Sequence, residues 1–157
     1  MLDLYPDFKV DNFFANRKDQ YTFFLTHNHE DHLQGLSKES SFSSFSVPDE
    51  SWAWGTIYTS DLSAKLLLAR FPHLKPYVKV LPLQQKTKIR GRIVTLLEAN
   101  HCPGAIMLLF EGPRGTVLHT GDFRYRREML DHLKDKQIDT LHLDNTFAMT
   151  DEDFPTQ

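Results

Sequence analysis

The sequence predicts a chain of the α/β class, and three observations carry that expectation. Apolar runs of strand length recur along the 157 residues, separated by clusters of Gly, Pro, Asn and Asp. One segment, "SDLSAKLLLARF", spaces its leucines as a helix does behind a capping residue. Strand after strand also stops at a histidine or an aspartate, and the carboxyl edge of a sheet is where α/β proteins build their sites.

Each element follows from its residues. "FKV" is a short strand running into Asp11. "YTFFLT" is aromatic and aliphatic enough for a central strand, and it runs into His27, His29, Asp31 and His32. Ser37–Ser51, "SKESSFSSFSVPDES", is polar and serine-rich and reads as a surface insertion. "GTIYTS" is a weaker strand. In the helix that follows, Ser60 or Asp61 is the cap, Leu62, Leu66, Leu67 and Ala69 share a face, and Pro72 ends the run. "YVKVLPL" and "GRIVTLLEA" are strand-like, the second leading to His101. "AIMLLFE" and "TVLHTGD" flank "GPRG" as a β-hairpin whose second arm ends at Asp122. "EMLDHLKD" reads as a short helix and "IDTLHLD" as a last strand ending at Asp144. If the strands run in compatible directions, all these acids and histidines converge on one sheet edge.

Composition sets bounds. Apolar residues at 40% and charged residues at 25% are ordinary for a globular domain. A net charge of −3 argues against a broad nonspecific nucleic-acid binder and leaves a local groove open. Cys102 is the only cysteine, so no internal disulfide forms and a reducing compartment is expected. The opening "MLDLYPDFKVD" has acids where a secretory signal has a basic end, and no apolar run approaches bilayer length. An intracellular soluble protein with no membrane partner is the expectation.

"HNHEDH" carries the chemistry. Imidazole mixed with carboxylate suits zinc, iron or manganese. Alternate residues of extended backbone point the same way, so His27, His29 and Asp31 share a side, and a turn must bring His32 round. The segment then serves two metals: His27 and His29 for one, with His101 as third ligand, and Asp31 and His32 for the other. Asp122 is the candidate bridge, because a carboxylate has two oxygens. The ordinary reading of an isolated histidine is packing or surface, but three imidazoles and an acid buried without partners would be costly.

"THNHEDH" matches the HxHxDH signature of metallo-β-lactamase-fold hydrolases. "ANHCPGAIMLLFE", "LHTGDFRY" and "LDNTF" extend the match, and from Asp11 to Gln157 the chain closely resembles the Artemis- and Apollo-like DNA cross-link-repair nucleases, a branch of the β-CASP subgroup. The resemblance implies an αββα sandwich, of which residues 1–157 are the N-terminal half of a metallo-β-lactamase-like domain. It implies two divalent ions, zinc among them, with His27, His29 and His101 as first-metal ligands, Asp31 and His32 as second-metal ligands and Asp122 as bridge. By the same resemblance Asp11 supports the ligand loop, Asp144 opens the β-CASP part, and Asp31, Asp122 and Asp144 are the catalytic acids. The implied activity is metal-dependent hydrolysis of DNA phosphodiesters, from a 5′ end or at particular structures, in interstrand cross-link repair. DNA, repair or telomere-associated proteins and a nuclear location are implied with it.

Two departures stand out. Ala105 follows "HCPG" where several family members carry serine. The chain also ends soon after Asp144, before the β-CASP insertion, a further second-metal histidine and the second half of the sandwich, so one sheet face is expected to lie uncovered. Two rival functions are a truncated non-catalytic form that binds metal or a partner, and a small-molecule hydrolase of the same fold, against which "TGDFR" and "LDNTF" speak.

Other residues are read more plainly. Arg124 in "FRYRR" either holds a substrate phosphate or belongs to a solvated basic face, the reading given to Arg126 and Arg127. Cys102 is a small buried or loop thiol rather than a nucleophile, within a "CPG" turn that aims His101. His73, His132 and His142 are structural, His119 is a core histidine, and Trp52 and Trp54 pack.

Overall fold

A computed structural model describes residues 4–39, 46–146 and 148–149, with the side chains of 38–39 and 46–48 left out. In chain order its strands are β1 (Phe8–Val10), β2 (Thr22–Phe24), β3 (Ser37–Glu39), β4 (Ser46–Pro48), β5 (Ile57–Thr59), β6 (Val78–Val80), β7 (Thr87–Ile89), β8 (Arg92–Glu98), β9 (Ile106–Gly112), β10 (Gly115–His119) and β11 (Thr140–His142). The α-helix among the described residues is α1 (Asp61–Arg70), and it is far too short to cross a membrane.

One sheet has the order β1-β2-β5-β6 and is parallel throughout. Parallel neighbours need crossovers, and α1 supplies the one between β5 and β6. The second sheet has the order β11-β10-β9-β8-β7. Strands β7 to β10 form an antiparallel meander, and β11 joins parallel to β10, with Val117 opposite Thr140. Strands β8, β10 and β11 therefore run the same way. Their carboxyl ends carry His101, Asp122 and Asp144 to a common edge, as Asp11 and His27 follow the parallel strands β1 and β2.

Aromatic side chains hold the two sheets together. Phe8 and Phe24 from the first meet Phe110 of the second, with ring centroids 5.5 and 5.0 Å apart, among Val94, Leu96, Leu108 and Val117. The far face of the first sheet buries Phe23, Leu25 and Ile57 under Leu67, Phe71 and Leu74. Trp52 completes that layer, its indole N–H donating to the Phe13 carbonyl at 2.9 Å. The far face of the second sheet packs Leu97, Met107, Leu109 and Leu118 beneath Phe123, Met129, Leu133 and Ile138. The layering is that of an αββα sandwich. The expectation of an uncovered face is corrected here, because the segment after Asp122 folds back over it.

Several elements differ from the sequence reading. Leu62, Leu66 and Ala69 are exposed; of the expected face only Leu67 is buried, together with Ser63 and Ala64. The cause is close approach: a Cβ built on Gly104 would lie 2.9 Å from Ser63 Oγ, so only small residues fit on that side of the helix. Ser60 is the cap, accepting from the Ser63 N–H. Part of Ser37–Ser51 is not loop but the paired strands β3 and β4; residues 40–45 lie outside the described residues. "EMLDHLKD" forms a 3₁₀ helix, Arg127–His132, rather than an α-helix. Strand β7 was not anticipated. It is reached through Arg90 and Gly91, both at positive φ, which make the tight two-residue turn a hairpin favours.

Candidate metal centre

The loop after β2 is built to aim imidazoles. Asp11, at the end of β1, accepts from the Thr26 N–H at 2.7 Å, from Thr26 Oγ at 2.6 Å and from His32 Nδ1 at 2.8 Å. Because the Thr26 hydroxyl donates to Asp11, it accepts from His27 Nδ1, 3.0 Å away. One carboxylate thus sets the tautomer of two histidines, leaving each Nε2 with a free lone pair, as a metal ligand requires. The chain stays extended only to His29. A 3₁₀ turn, Glu30–His32, then brings His32 back, closed by the His32 N–H to the His29 carbonyl at 3.0 Å. Arg70 on α1 grips Glu30 with both guanidinium nitrogens, and Asn28 Nδ2 donates to the Ser63 carbonyl at 3.0 Å, fixing the loop to the helix.

His101 arrives from the other sheet. Its loop is tied on both sides: Arg124 N–H donates to Ala99, Ile106 N–H to Thr26, and Ser60 and Ser63 hydroxyls both donate to the Gly104 carbonyl. His101 Nε2 lies 3.2 Å from His29 Nδ1, and the rings of His27, His29 and His101 have centroids 4.5 to 4.9 Å apart. His27 is fully buried, and its Nε2 has no hydrogen-bond partner among the described residues. Burial, with repulsion from His32, His29 and His101, pushes its pKa down to about 3, so the ring is neutral and a ready ligand.

The second cluster forms around Asp122. One carboxylate oxygen is 3.2 Å from His32 Nε2; the other is 3.7 Å from both His27 and His101 Nε2. Asp122 therefore faces both groups, as a bridging acid would. Burial lowers the His32 pKa, but the Asp11 bond and the charges of Asp11, Asp122 and Asp31 outweigh it and the net direction is up. Burial raises Asp11, against the bonds from His32 and Thr26.

The expected residues do not all converge equally. Donor atoms of His27, His29, His101 and Cys102 lie within 4.8 Å of one another, as do those of His27, His32 and Asp122. Asp31 stands outside both groups: it sits in the 3₁₀ turn, exposed, 3.5 Å from His32 Nε2. Asp144 lies on the rim of an open cavity of about 400 Å³ shared with His32 and Asp122, its carboxylate accepting from the Thr146 N–H and hydroxyl. Arg124 is held by its backbone and shows no side-chain ion pair among the described residues. His119, read as a core residue, stacks on His142 and lines the same cavity. Reading the sequence did not bring Cys102 into the cluster; its adjacency to His101 was the available signal.

A buried imidazole nitrogen with no partner, facing two more imidazoles and a carboxylate, fits a divalent metal. No family model matches the chain. Human DNA cross-link repair 1A protein is 40% identical over 137 residues, 86% of this chain and 12% of that protein. The 5′ exonuclease Apollo of Gallus gallus is 43% identical over 127 residues, 79% of this chain and 25% of that protein. Over this stretch the chain resembles the DNA cross-link repair 1A and Apollo proteins. It spans between 12% and 25% of the length of these two relatives. Among solved structures, a metallo-beta-lactamase from Cronobacter sakazakii matches at TM-score 0.51 and 14% identity, over 80% of this chain and 58% of its own. An Enterococcus faecalis V583 protein of unknown function matches at TM-score 0.57 and 21% identity, over 91% of this chain and 36% of its own. These two likenesses establish the fold.

Proposed function

We propose that this chain supplies the metal-binding part of a metal-dependent DNA phosphodiesterase acting in cross-link repair, as a 5′ exonuclease or a structure-specific endonuclease. The observation that carries the reading is His27 Nε2, buried and unpartnered amid His29, His101 and Asp122, in a chain related to a 5′ exonuclease. His27, His29 and His101 would hold one zinc ion; His32 and Asp31, with Asp122 shared, would hold a second divalent ion. Bound there, such ions supply Lewis acidity toward a phosphodiester and make water a stronger nucleophile at neutral pH.

The chain's own groups do the rest. Asp11 holds His27 and His32 in the ligating tautomer. Asp31, solvent-facing beside His32, orients the attacking water and accepts its proton. Asp144, braced by Thr146 and by its N–H to Thr120 Oγ, lines the cavity through which a strand reaches Asp122. Arg124, on the loop tied to Ala99, pairs with a substrate phosphate. Residues 1–157 belong, in this reading, to a metallo-β-lactamase-like domain of the β-CASP subgroup, in a nuclear protein whose partners are DNA and repair or telomere-associated proteins.

The test is cleavage of 5′-phosphorylated single-stranded DNA by the full-length protein, with and without a chelator. Cleavage that the chelator abolishes, and that Asp31→Ala or Asp122→Ala removes while the fold is retained, is expected. Chelator-insensitive cleavage, or wild-type rates in either variant, would overturn the assignment.

A further inference from the structure

Tyr125 stands 59% exposed on the loop that follows Asp122. A lone exposed aromatic ring is ordinary on a protein surface. This one is set apart by how its backbone is held and by what surrounds it. The peptide joining Arg124 to Tyr125 presents its carbonyl to Asn100 Nδ2 at 3.2 Å, and the Arg124 N–H donates to the Ala99 carbonyl at 2.9 Å. Ala99 and Asn100 lead directly into His101, so Tyr125 is fastened to the loop that carries a candidate ligand. Along the chain it lies three residues from Asp122, which limits the distance between their Cα atoms to about 11 Å.

The other side of the ring is held as well. Arg126 is extended and leads into the 3₁₀ helix Arg127–His132. The Met129 N–H bonds the Arg126 carbonyl at 3.1 Å, and the Met129 side chain packs on the second sheet. Phe123, two residues before Tyr125, packs under the same sheet, whereas the Tyr125 ring is left in solvent.

Its surroundings are cationic. Arg124 precedes the ring, and Arg126 and Arg127 follow it. Arginines interleaved with an aromatic ring suit a single strand of nucleic acid, because the cations track phosphates and the ring face takes a base. The whole chain carries a net charge of −3, so attraction to phosphate is confined to local patches such as this one. A stacking contact then supplies affinity that charge alone does not.

We propose that Tyr125 is a base-stacking platform for single-stranded DNA, holding a nucleobase near the phosphodiester that faces Asp122. The proposal rests on the DNA-phosphodiesterase reading and deepens it by naming the strand form the site takes. A base inside a duplex has both faces covered by its neighbours, so this platform selects strands whose bases are unstacked. Every base has a π-face, so the preference is for strand form and not for sequence. Because the backbone is held before DNA arrives, little of the ordering cost falls on binding.

Fluorescence anisotropy of a labelled, 5′-phosphorylated oligonucleotide tests this, with the full-length protein and a chelator present to prevent cleavage. Tyr125→Ala should weaken binding roughly 5- to 100-fold, and Tyr125→Phe should restore it to near the wild-type value. Salt dependence separates stacking from charge: Tyr125→Ala should leave the log–log slope unchanged, whereas Arg124→Ala should reduce it by about 0.7. An abasic nucleotide walked along the strand from its 5′ end should weaken wild-type binding at one position and add no further loss there in Tyr125→Ala. Binding by Tyr125→Ala within twofold of wild type, or losses that add at every abasic position, would overturn the stacking assignment and leave the DNA reading standing. Failure of the folded wild type to bind the strand would overturn both.

Discussion

Asp11 is the residue whose removal should reach furthest. Its carboxylate is almost buried and accepts three hydrogen bonds of 2.6 to 2.8 Å, two from Thr26 and one from His32. Through the Thr26 hydroxyl it also fixes His27 Nδ1. In Asp11→Asn one amide oxygen can still accept from the Thr26 N–H, but the other position becomes a donor facing the hydroxyl and the imidazole. The Nδ1 protons of His27 and His32 lose their anchor, and each Nε2 lone pair is no longer enforced. Loss of such outer partners lowers metal affinity about 10- to 100-fold, or about 1.4 to 2.7 kcal/mol. Asp11→Ala goes further, leaving the Thr26 N–H without an acceptor in a buried site, and should cost about 3 to 5 kcal/mol of stability. Zinc competition against a chromophoric chelator measures the first effect and urea unfolding of the metal-free protein the second. Zinc affinity in folded Asp11→Asn within twofold of wild type would refute the reasoning, as would a loss below 1 kcal/mol in Asp11→Ala.

Other expectations follow from single contacts. Gly104→Ala places a methyl group at φ +84° against Ser63 Oγ and N, 2.9 and 3.0 Å away, so urea titration should find about 1 to 3 kcal/mol lost. Ser60→Ala removes both the α1 cap and a donor to the Gly104 carbonyl, and should cost about 1 to 2 kcal/mol by the same assay. His119 is pushed from 6.5 to about 4, by burial first and by His142 next. The unfolded chain therefore takes up a proton that the folded chain refuses, and this group's part of stability, full above pH 6.5, is lost as pH falls toward 4. His119→Gln should flatten the fall of the urea midpoint between pH 7 and 5; an unchanged slope would show that other groups carry it.

Much of the site was legible in the sequence. "HNHEDH", His101 and Asp122 stood out because they gather imidazoles and carboxylates that packing alone does not place together, and the structure brings them into one cluster. Strand existence was equally legible, since "YTFFLT" and "GRIVTLLEA" are too apolar and β-prone to be loops. The face of α1 was not: leucine spacing pointed to Leu62 and Leu66, whereas the close pass of the Gly104 loop selected Ser63 and Ala64. "EMLDHLKD" looked helical but closed as a 3₁₀ turn, which a short segment packing a few apolar residues onto a sheet can do as well as an α-helix.

The sequence by itself picked out the cluster of histidines and acids, the main strands that carry it and the β9–β10 hairpin, because these depend on residue chemistry and on neighbours a few positions apart. Only the tertiary structure decided that β8, β10 and β11 run the same way, that one Asp11 carboxylate orients two histidines, that Asp31 stands apart from the tight clusters, and that Cys102 joins the first. Those outcomes depend on strand register and direction between segments tens of residues apart, and no local pattern of side chains encodes which partner a strand will find.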